Sequence, residues 1–255
     1  MKTVVLGSSI KGIAHAIALR SCGEEVCLIA PSTYLGEDLT ATWAGYGVIS
    51  EKNALAYLKE NGIALPAPLL PGRLKRELTK RLLDAGVDVR YMSRPAGIQV
   101  QNGKTAGVLI GGKHGLYWEK CDNLLDASLY SVAQKAILGQ PVLVPAGAEV
   151  SVRLEYRGIP DLENRLLLPN VSLERGALDD EHAYLTVKHT FEQTLSMQEA
   201  RGHLWQIALN TALQLGNDVR FPRLELTNAL GRDEDYAHNL SNKQTFSKAS
   251  LQAIL

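Results

Sequence analysis

The sequence predicts an α/β fold of the Rossmann type, in which a three-stranded antiparallel β-meander makes the crossover of a parallel sheet, followed by a smaller α+β domain. Three observations lead to this expectation. The chain begins with a strand, a glycine turn, a helix and a second strand. A meander rather than a helix then leads back to a buried strand. From about residue 140 the pattern changes to alternating strands and one long helix.

Length, composition and charge limit the classes to which the protein can belong. The 255 residues are 45% hydrophobic, which suits a large domain with a smaller one. Lys+Arg and Asp+Glu are 27 each, so nothing favours nucleic acid or an anionic membrane as a partner. A net charge of zero favours self-association, and we expect an oligomer.

The chain shows no signs of export or of a metal site. No secretory leader precedes the first strand, and no apolar run is long enough to span a bilayer. Cys22, Cys27 and Cys121 lack the spacing of a metal or redox motif. We therefore expect a cytoplasmic protein with reduced thiols and no bound metal.

The first βαβ unit contains the candidate nucleotide-binding turn. Lys2–Leu6 and Glu25–Ile29 are short apolar strands, and a helix follows the turn from Ile13 to Arg20 and is closed by Gly23. The turn has the outer glycines of a G-x-G-x-x-G motif, but a serine occupies its middle position. Free N–H groups at such a turn bind a diphosphate. The candidate contacts are Gly7, Ser8, Ser9, Ile10, Lys11 and Gly12.

Several residues of this unit depart from the usual pattern. Ser9 narrows the backbone approach to a phosphate, although Ser8 or Ser9 could cap the helix or bond a phosphate oxygen. A positive charge on Lys11, in the first turn of the helix, is unfavourable beside the positive end of the helix dipole. Either a bound anion or solvation of the ammonium would explain a lysine at this position. Ala30 stands where an acid usually binds the ribose hydroxyls, which leaves Ser32 or Thr33 as a weaker neutral partner.

The middle of the chain predicts the crossover. We expect a helix over 53–62, a proline-rich connection over 65–71, a second helix over 74–85 and a strand over 87–91. The meander is predicted as strands over 97–100, 105–110 and 116–119, with turns at Asn102-Gly103 and at 111–115. Residues 121–128 then return to the core as an apolar strand.

Two segments resemble the flavin-contact segments of FAD-dependent oxidoreductases of the glutathione-reductase superfamily. Leu35-Gly36 and Thr40 match a Leu-Gly-Gly-x-x-Thr segment, with Glu37 in place of its second glycine. Asp126-Ala127-Ser128 matches the start of an Ile-Asp-Ala-Thr-Gly-Asp motif, with Leu129-Tyr130 in place of the Gly-Asp pair. The meander crossover is a further similarity to this family. The resemblance covers residues 1–130, is weak over 140–225 and is missing beyond.

The resemblance implies a glutathione-reductase-type fold, FAD as the cofactor and hydride transfer from a small organic substrate to the flavin. It adds Ser32, Gly36, Thr40, Ala127 and Ser128 to the turn as expected cofactor contacts. The last part of the family's FAD domain is missing, so another subunit or residues 227–255 would have to complete it. The sequence assigns no catalytic residue, because none of the six histidines has a recognisable spacing.

The predicted domains are a dinucleotide-binding domain over 1–139, a substrate or cap domain over 140–230 and a polar tail over 231–255. The second domain is predicted to have strands over 149–156, 165–168 and 183–187, and a helix over 197–215 that begins at a Ser196–Glu199 capping box. Two other functions stay open. One is a non-catalytic scaffold that has lost FAD, and the other is NAD(P) binding at the same turn, against which the meander argues.

Overall fold

The computed structural model describes residues 1–36, 59, 71–128, 132–157, 171–177, 182–215 and 219–223. The predicted helix over 53–62, apart from residue 59, and the predicted strand over 165–168 lie outside these residues. So does the predicted connection over 65–71, apart from Pro71, which belongs to a helix. The helices are α1 (Ile10–Ser21), α2 (Pro71–Asp84), α3 (Val132–Ile137) and α4 (Met197–Leu215). The strands are β1 (Lys2–Leu6), β2 (Glu25–Ile29), β3 (Asp88–Arg90), β4 (Arg94–Gln101), β5 (Lys104–Gly112), β6 (Gly115–Lys120), β7 (Asn123–Asp126), β8 (Leu143–Val144), β9 (Glu149–Arg157), β10 (Val171–Ala177), β11 (His182–Thr190), β12 (Leu195–Ser196) and β13 (Val219–Arg223).

The first half of the chain is built on a parallel sheet in the order β3-β2-β1-β7. Val5 of β1 pairs with Leu28 of β2 on one side and with Leu125 of β7 on the other. These strands are apolar along both faces because both faces are covered, as in other parallel sheets.

Two apolar clusters cover the two faces of this sheet. On one face Val5, Val26 and Leu28 pack with residues of α1 and α2, including Ile13, Leu78 and Leu82. On the other face Val4, Leu6 and Ile29 pack with Val108, Ile110 and Ala133 of the meander and α3. The sheet is therefore the middle of three layers, with helices on one side and the meander and α3 on the other.

The meander takes the place of a crossover helix between β3 and β7. Strands β4, β5 and β6 pair in that order and antiparallel. Asn102 and Gly103 both have positive φ angles, 52° and 72°, and make the predicted two-residue turn. The expectation of a parallel sheet with an antiparallel meander is confirmed.

The second half is an antiparallel sheet in the order β10-β11-β9-β13, with a two-stranded β8-β12 pair and the long helix α4. The predicted capping box is confirmed. The backbone N–H and hydroxyl of Ser196 both donate to a carboxylate oxygen of Glu199, at 2.9 and 2.7 Å, and the Glu199 N–H donates to the Ser196 hydroxyl at 3.2 Å.

Some predicted boundaries were wrong, and β8, β10, β12 and β13 were not among the predicted strands. Helix α2 begins at Pro71 rather than residue 74, because proline is favoured in a first helical turn, where its missing N–H costs nothing. Strand β10 alternates only weakly, and β13 contains Pro222, which a strand tolerates at a sheet edge. Strand β12 has two residues.

Candidate functional site: the glycine turn after the first strand

The turn between β1 and α1 is held tightly against the end of β7. Gly7 has a φ of 100°, and its N–H donates to the Ile29 carbonyl at 2.9 Å. A Cβ on Gly7 would lie 2.5 Å from the Ser128 Cα and 2.7 Å from the Ser128 nitrogen. Only glycine fits here, because both the backbone conformation and the space exclude a side chain.

The other two motif positions have different roles. A Cβ on Gly12 would overlap the Gly7 carbonyl oxygen, so the helix can approach the turn only with glycine at this position. Ser9 is the N-cap of α1, and its hydroxyl accepts from the Gly12 N–H at 3.3 Å and donates to the Ala127 carbonyl at 2.7 Å. The Ser9 hydroxyl therefore joins two loops of the protein.

Ser8 differs from Ser9 in having a hydroxyl without a partner among the residues that the structure describes. Its side chain is fully buried, and within those residues the hydroxyl oxygen makes no hydrogen bond. The Ser8 carbonyl accepts from the Gly36 N–H at 2.7 Å, so the segment after β2 lies against the turn at this residue. A buried hydroxyl without a hydrogen bond is costly unless something else supplies one.

Lys11 is buried, with only 9% of its surface exposed. This burial disfavours the alternative of a solvated surface lysine. Burial lowers the pKa of the Lys11 ammonium, and the nearby Asp126 carboxylate acts in the opposite direction. Ile10, at the first helical position, is fully buried in the core beside α2, so only its backbone could contact a ligand.

Asp126 connects the end of β7 to α3. It is 3% exposed and accepts from the Ser128 N–H at 2.9 Å, the Ser128 hydroxyl at 2.6 Å and the Gln134 N–H at 3.0 Å. The Ser128 hydroxyl in turn accepts from the Ala133 N–H at 2.9 Å. Burial raises the pKa of the Asp126 carboxyl, and these hydrogen bonds and Lys11 oppose the rise.

The end of β2 has no acidic side chain. Ala30 is buried and bonds through its backbone to Arg90 and Ser93. The Ser32 hydroxyl donates to the Tyr34 carbonyl at 2.6 Å, which leaves only its lone pairs for a ribose hydroxyl. The Lys75 ammonium lies 4.0 Å from the centre of the Tyr34 ring.

The fold brings together most of the residues expected to contact a cofactor. The glycine turn, Gly36, Ala127 and Ser128 are joined by the bonds described above. Thr40, Glu37, Leu129 and Tyr130 lie outside the described residues. The sequence identified Asp126 only as a motif match and did not indicate the Lys75–Tyr34 contact. Contacts between residues far apart in the chain leave no local pattern in the sequence.

The remaining candidate groups gain no chemical role within the described ranges. His15 is half-buried on α1, and His114 is exposed in a turn of the meander. Cys27 and Cys121 are buried and Cys22 is exposed, all as free thiols. Where the structure describes the chain, no His, Cys, Asp or Glu cluster could hold a metal. No helix of the described part combines the length and apolarity needed to cross a membrane.

Comparison with solved structures shows the fold that surrounds this turn. The anhydrotetracycline hydroxylase OxyS from Streptomyces rimosus matches 87% of this chain and 52% of its own, at 17% identity and a TM-score of 0.51. A geranylgeranyl bacteriochlorophyll reductase-like protein from Thermoplasma acidophilum matches 87% of this chain and 64% of its own, at 14% identity and a TM-score of 0.57. Aklavinone-11 hydroxylase, solved with FAD and aklavinone, matches 87% and 52%, at 14% identity and a TM-score of 0.50.

These neighbours are similar in fold, while sequence comparisons find no counterpart. No protein-family profile matches the chain, and no curated protein matches it. The chain spans between about half and two thirds of the length of the three solved proteins. The chain thus shares a Rossmann-like α/β fold with these proteins, of which aklavinone-11 hydroxylase was solved with FAD.

Proposed function

We propose that the chain is a flavoprotein of the glutathione-reductase type that binds the diphosphate of FAD at the turn Gly7–Gly12, and that it is an oxidoreductase or a subunit of one. The observation that carries this proposal is the Ser8 hydroxyl, which is fully buried at the turn and has no hydrogen-bond partner in the described part of the chain. A phosphate oxygen would supply that partner if diphosphate binding displaces the atoms that close the hydroxyl off from solvent. Leaving a buried hydroxyl unpaired costs about 1–3 kcal/mol of stability. If no ligand bound at this turn, a side chain without a hydroxyl would therefore be expected at this position.

The residues at the turn fit a diphosphate. Gly7 and Gly12 allow the close packing that brings the helix N-terminus to the end of the sheet. Gly36, Ala127 and Ser128 lie around the same turn and would contribute to the cofactor site there. Lys11 would add a positive charge near the phosphates, and Asp126 would hold Ala127 and Ser128 in place.

Bound FAD would supply the hydride chemistry, and the chain's own residues would bind and orient it. A small organic substrate would donate the hydride. The 140–230 region would lie on the side of the flavin at which that substrate binds. We propose that the rest of the flavin site comes from a second subunit or from residues 227–255. The solved neighbours are longer than this chain.

Replacing Ser8 tests this proposal directly. Ser8→Ala should lower the affinity for FAD about tenfold, the value of one hydrogen bond, while leaving stability unchanged or slightly raised, because the hydroxyl has no partner among the described residues. Affinity is measured by flavin fluorescence titration of the full chain, and stability by urea unfolding without FAD. Ser9→Ala is the matched control. It should lose about 1–2 kcal/mol of stability, because the Ser9 hydroxyl makes two internal bonds.

A second candidate function is a scaffold that has lost its cofactor. It is favoured by the absence of a carboxylate at Ala30 and by the Ser32 hydroxyl, which donates to Tyr34 instead of a ribose. Purified protein without visible flavin colour, which also fails to take up added FAD, would support this candidate. Equal FAD affinity in the wild type and Ser8→Ala would contradict the proposed role of Ser8.

A further inference from the structure

The outer face of the meander is the side turned away from the parallel sheet. The inner side carries Val108, which is buried in the cluster against that sheet. Because side chains alternate along a strand, Leu109 and its partner Trp118 lie on the outer face, as do Gly111 and its partner Leu116. Leu116 is 69% exposed and Trp118 is 52% exposed. Two large apolar side chains of one strand therefore stand open to solvent on this face.

Glycines form the floor of the outer face. The Leu109 side chain lies 3.6 Å from the position that a Cβ of Gly97 would occupy, and the Leu116 side chain lies 3.3 Å from that of Gly111. The two leucines thus lie across backbone that carries no side chain of its own. The face is therefore broad and low, and Leu116 and Trp118 are its most exposed apolar side chains.

Cations surround this apolar centre. Arg94 and Lys120 pair with outer-face glycines of β5, which places them on the same side of the sheet. Lys104 and Lys113 stand beside the two hairpin turns, and all four cations are exposed. None of the four forms an ion pair within the described part of the chain. Their positive charge is therefore available to a partner.

The meander has no exposed carboxylate to balance these cations. Its sequence from residue 94 to 120 contains a single acid, Glu119. Glu119 pairs with the inward-facing Val108 and bonds to the Lys2 ammonium at 2.9 Å, so its charge lies on the inner side. The zero net charge of the chain conceals this local excess. Composition alone favours no anionic membrane as a partner, because net charge averages over the whole surface.

We propose that the outer face of the meander docks on a membrane that contains anionic lipids. The four cations would lie among the negative headgroups, where each strengthens binding about fivefold. Leu116 and Trp118 would enter the boundary between headgroups and acyl chains, a position that tryptophan favours. The binding would be reversible, since the chain would lie on the bilayer and not cross it.

The pattern of charge distinguishes a membrane from other partners. The apolar centre alone identifies nothing, because ordinary monomers have patches of this size. A second copy of the same face would bring four cations against four cations. Single-stranded nucleic acid stacks on several aromatic side chains, whereas Trp118 is the one aromatic residue on the outer side of the described meander. A lipid surface needs neither a pocket nor a fixed register, which suits a broad face floored by glycine.

Cosedimentation of the full chain with vesicles tests the proposal. The vesicles contain phosphatidylcholine and phosphatidylserine in a ratio of about two to one, and vesicles of phosphatidylcholine alone serve for comparison. The wild type should bind the mixed vesicles at least about tenfold more tightly than the neutral ones, because the four cations have no charge to meet on the latter. Binding should also weaken with added salt, which screens the attraction.

Two double variants separate the charged and apolar contributions. Lys113→Gln with Lys120→Gln should weaken binding to the mixed vesicles about 25-fold, which is the product of two fivefold losses. Leu116→Ser with Trp118→Ser should weaken it by at least about tenfold, because less apolar surface leaves water. Both should keep the wild-type circular dichroism spectrum and thermal midpoint, since the replaced side chains are exposed.

The matched control makes the same kinds of change on α2. Lys80→Gln with Leu83→Ser removes an exposed cation and a leucine that is 66% exposed, and it should bind the vesicles as the wild type does. Equal binding to mixed and neutral vesicles, or no binding to either, would overturn the proposal. So would unchanged binding in the two meander variants. Tighter binding to polyuridylate or polyglutamate than to the mixed vesicles would assign the face to RNA or to an acidic protein instead.

Discussion

At the scale of single residues, two neighbouring serines in the turn after β1 look equivalent in the sequence but differ in their hydrogen bonding. The Ser9 hydroxyl is used inside the protein, between the Gly12 N–H and the Ala127 carbonyl. The Ser8 hydroxyl is equally buried but has no partner where the structure describes the chain. The serine in the middle motif position is therefore a structural cap, and its neighbour is the better candidate for contact with a ligand.

Gly7 provides a prediction about stability. Gly7→Ala should lower the free energy of unfolding by roughly 2–4 kcal/mol, because the positive φ is unfavourable for alanine and the new Cβ would lie against the Ser128 backbone. Gly103→Ala is the control. Gly103 also has a positive φ but has nothing within 4 Å of the Cβ position, so only about 1 kcal/mol should be lost.

Urea unfolding of both variants measures the difference between them. A loss in Gly7→Ala no larger than that in Gly103→Ala would mean that the β7 end can move away from the turn. In that case the close packing of the turn on Ser128 would not restrict this position.

At the scale of elements, Asp126 links β7, α3 and the turn through a short set of hydrogen bonds. It accepts from the N–H groups of Ser128 and Gln134, and its partner Ser128 accepts from Ala133. Because Ala127 also accepts from Ser9, the position of α3 and the position of the glycine turn depend on each other. A substitution of Asp126 should therefore alter the positions of both α3 and the glycine turn.

The Asp126 carboxyl predicts an unusual dependence of stability on pH. Burial raises its pKa in the folded protein, so the folded state binds the proton more tightly than the unfolded state does. Its contribution is fully present below the ordinary aspartate pKa and is lost as pH rises through the raised value. The stability of the wild type relative to Asp126→Asn should thus fall with rising pH across this window.

Urea unfolding of the two proteins at a series of pH values measures this difference. Ser128→Ala offers a further check, because the Ser128 hydroxyl lowers the pKa of Asp126 and its removal should move the window to higher pH. A relative stability that rises with pH instead would mean that the hydrogen bonds outweigh burial.

At the scale of the whole molecule, both apolar clusters of the parallel sheet come from the first part of the chain. The cluster on the helix side draws on residues from Val5 to Ala127, and the cluster on the meander side includes no described residue beyond Ile137. Helix α3 is followed by a turn in which the N–H groups of Gly139 and Gln140 bond back to Ala136 and Lys135. Strand β8, just beyond, pairs with the distant β12.

We therefore predict that residues 1–139 fold without the rest of the chain. The fragment should be soluble and unfold cooperatively in urea, because both faces of its sheet are already covered. Circular dichroism and urea titration measure this. An insoluble or non-cooperative fragment would place the domain boundary elsewhere.

Much of the fold was predictable because its signals are local. The β1-turn-α1-β2 unit, the Asn102-Gly103 turn and the capping box at Ser196 each depend on residues close together in the chain. Strands β10 and β13 were not predicted because their sequences lack a clear alternation of polar and apolar residues. Pairing with β11 and β9 stabilises them as strands instead.

By itself, the sequence determined the order of elements in the first half, the glycine positions of the turn and the length of α4, since backbone preference and periodicity act over a few residues. Only the tertiary structure decided that Ser9 bonds to Ala127, that Ser8 is left without a partner, that Lys11 and Asp126 are buried and that Trp205 and Leu213 remain exposed. The physical reason is that burial and hydrogen bonding depend on residues more than a hundred positions apart, which packing alone brings together.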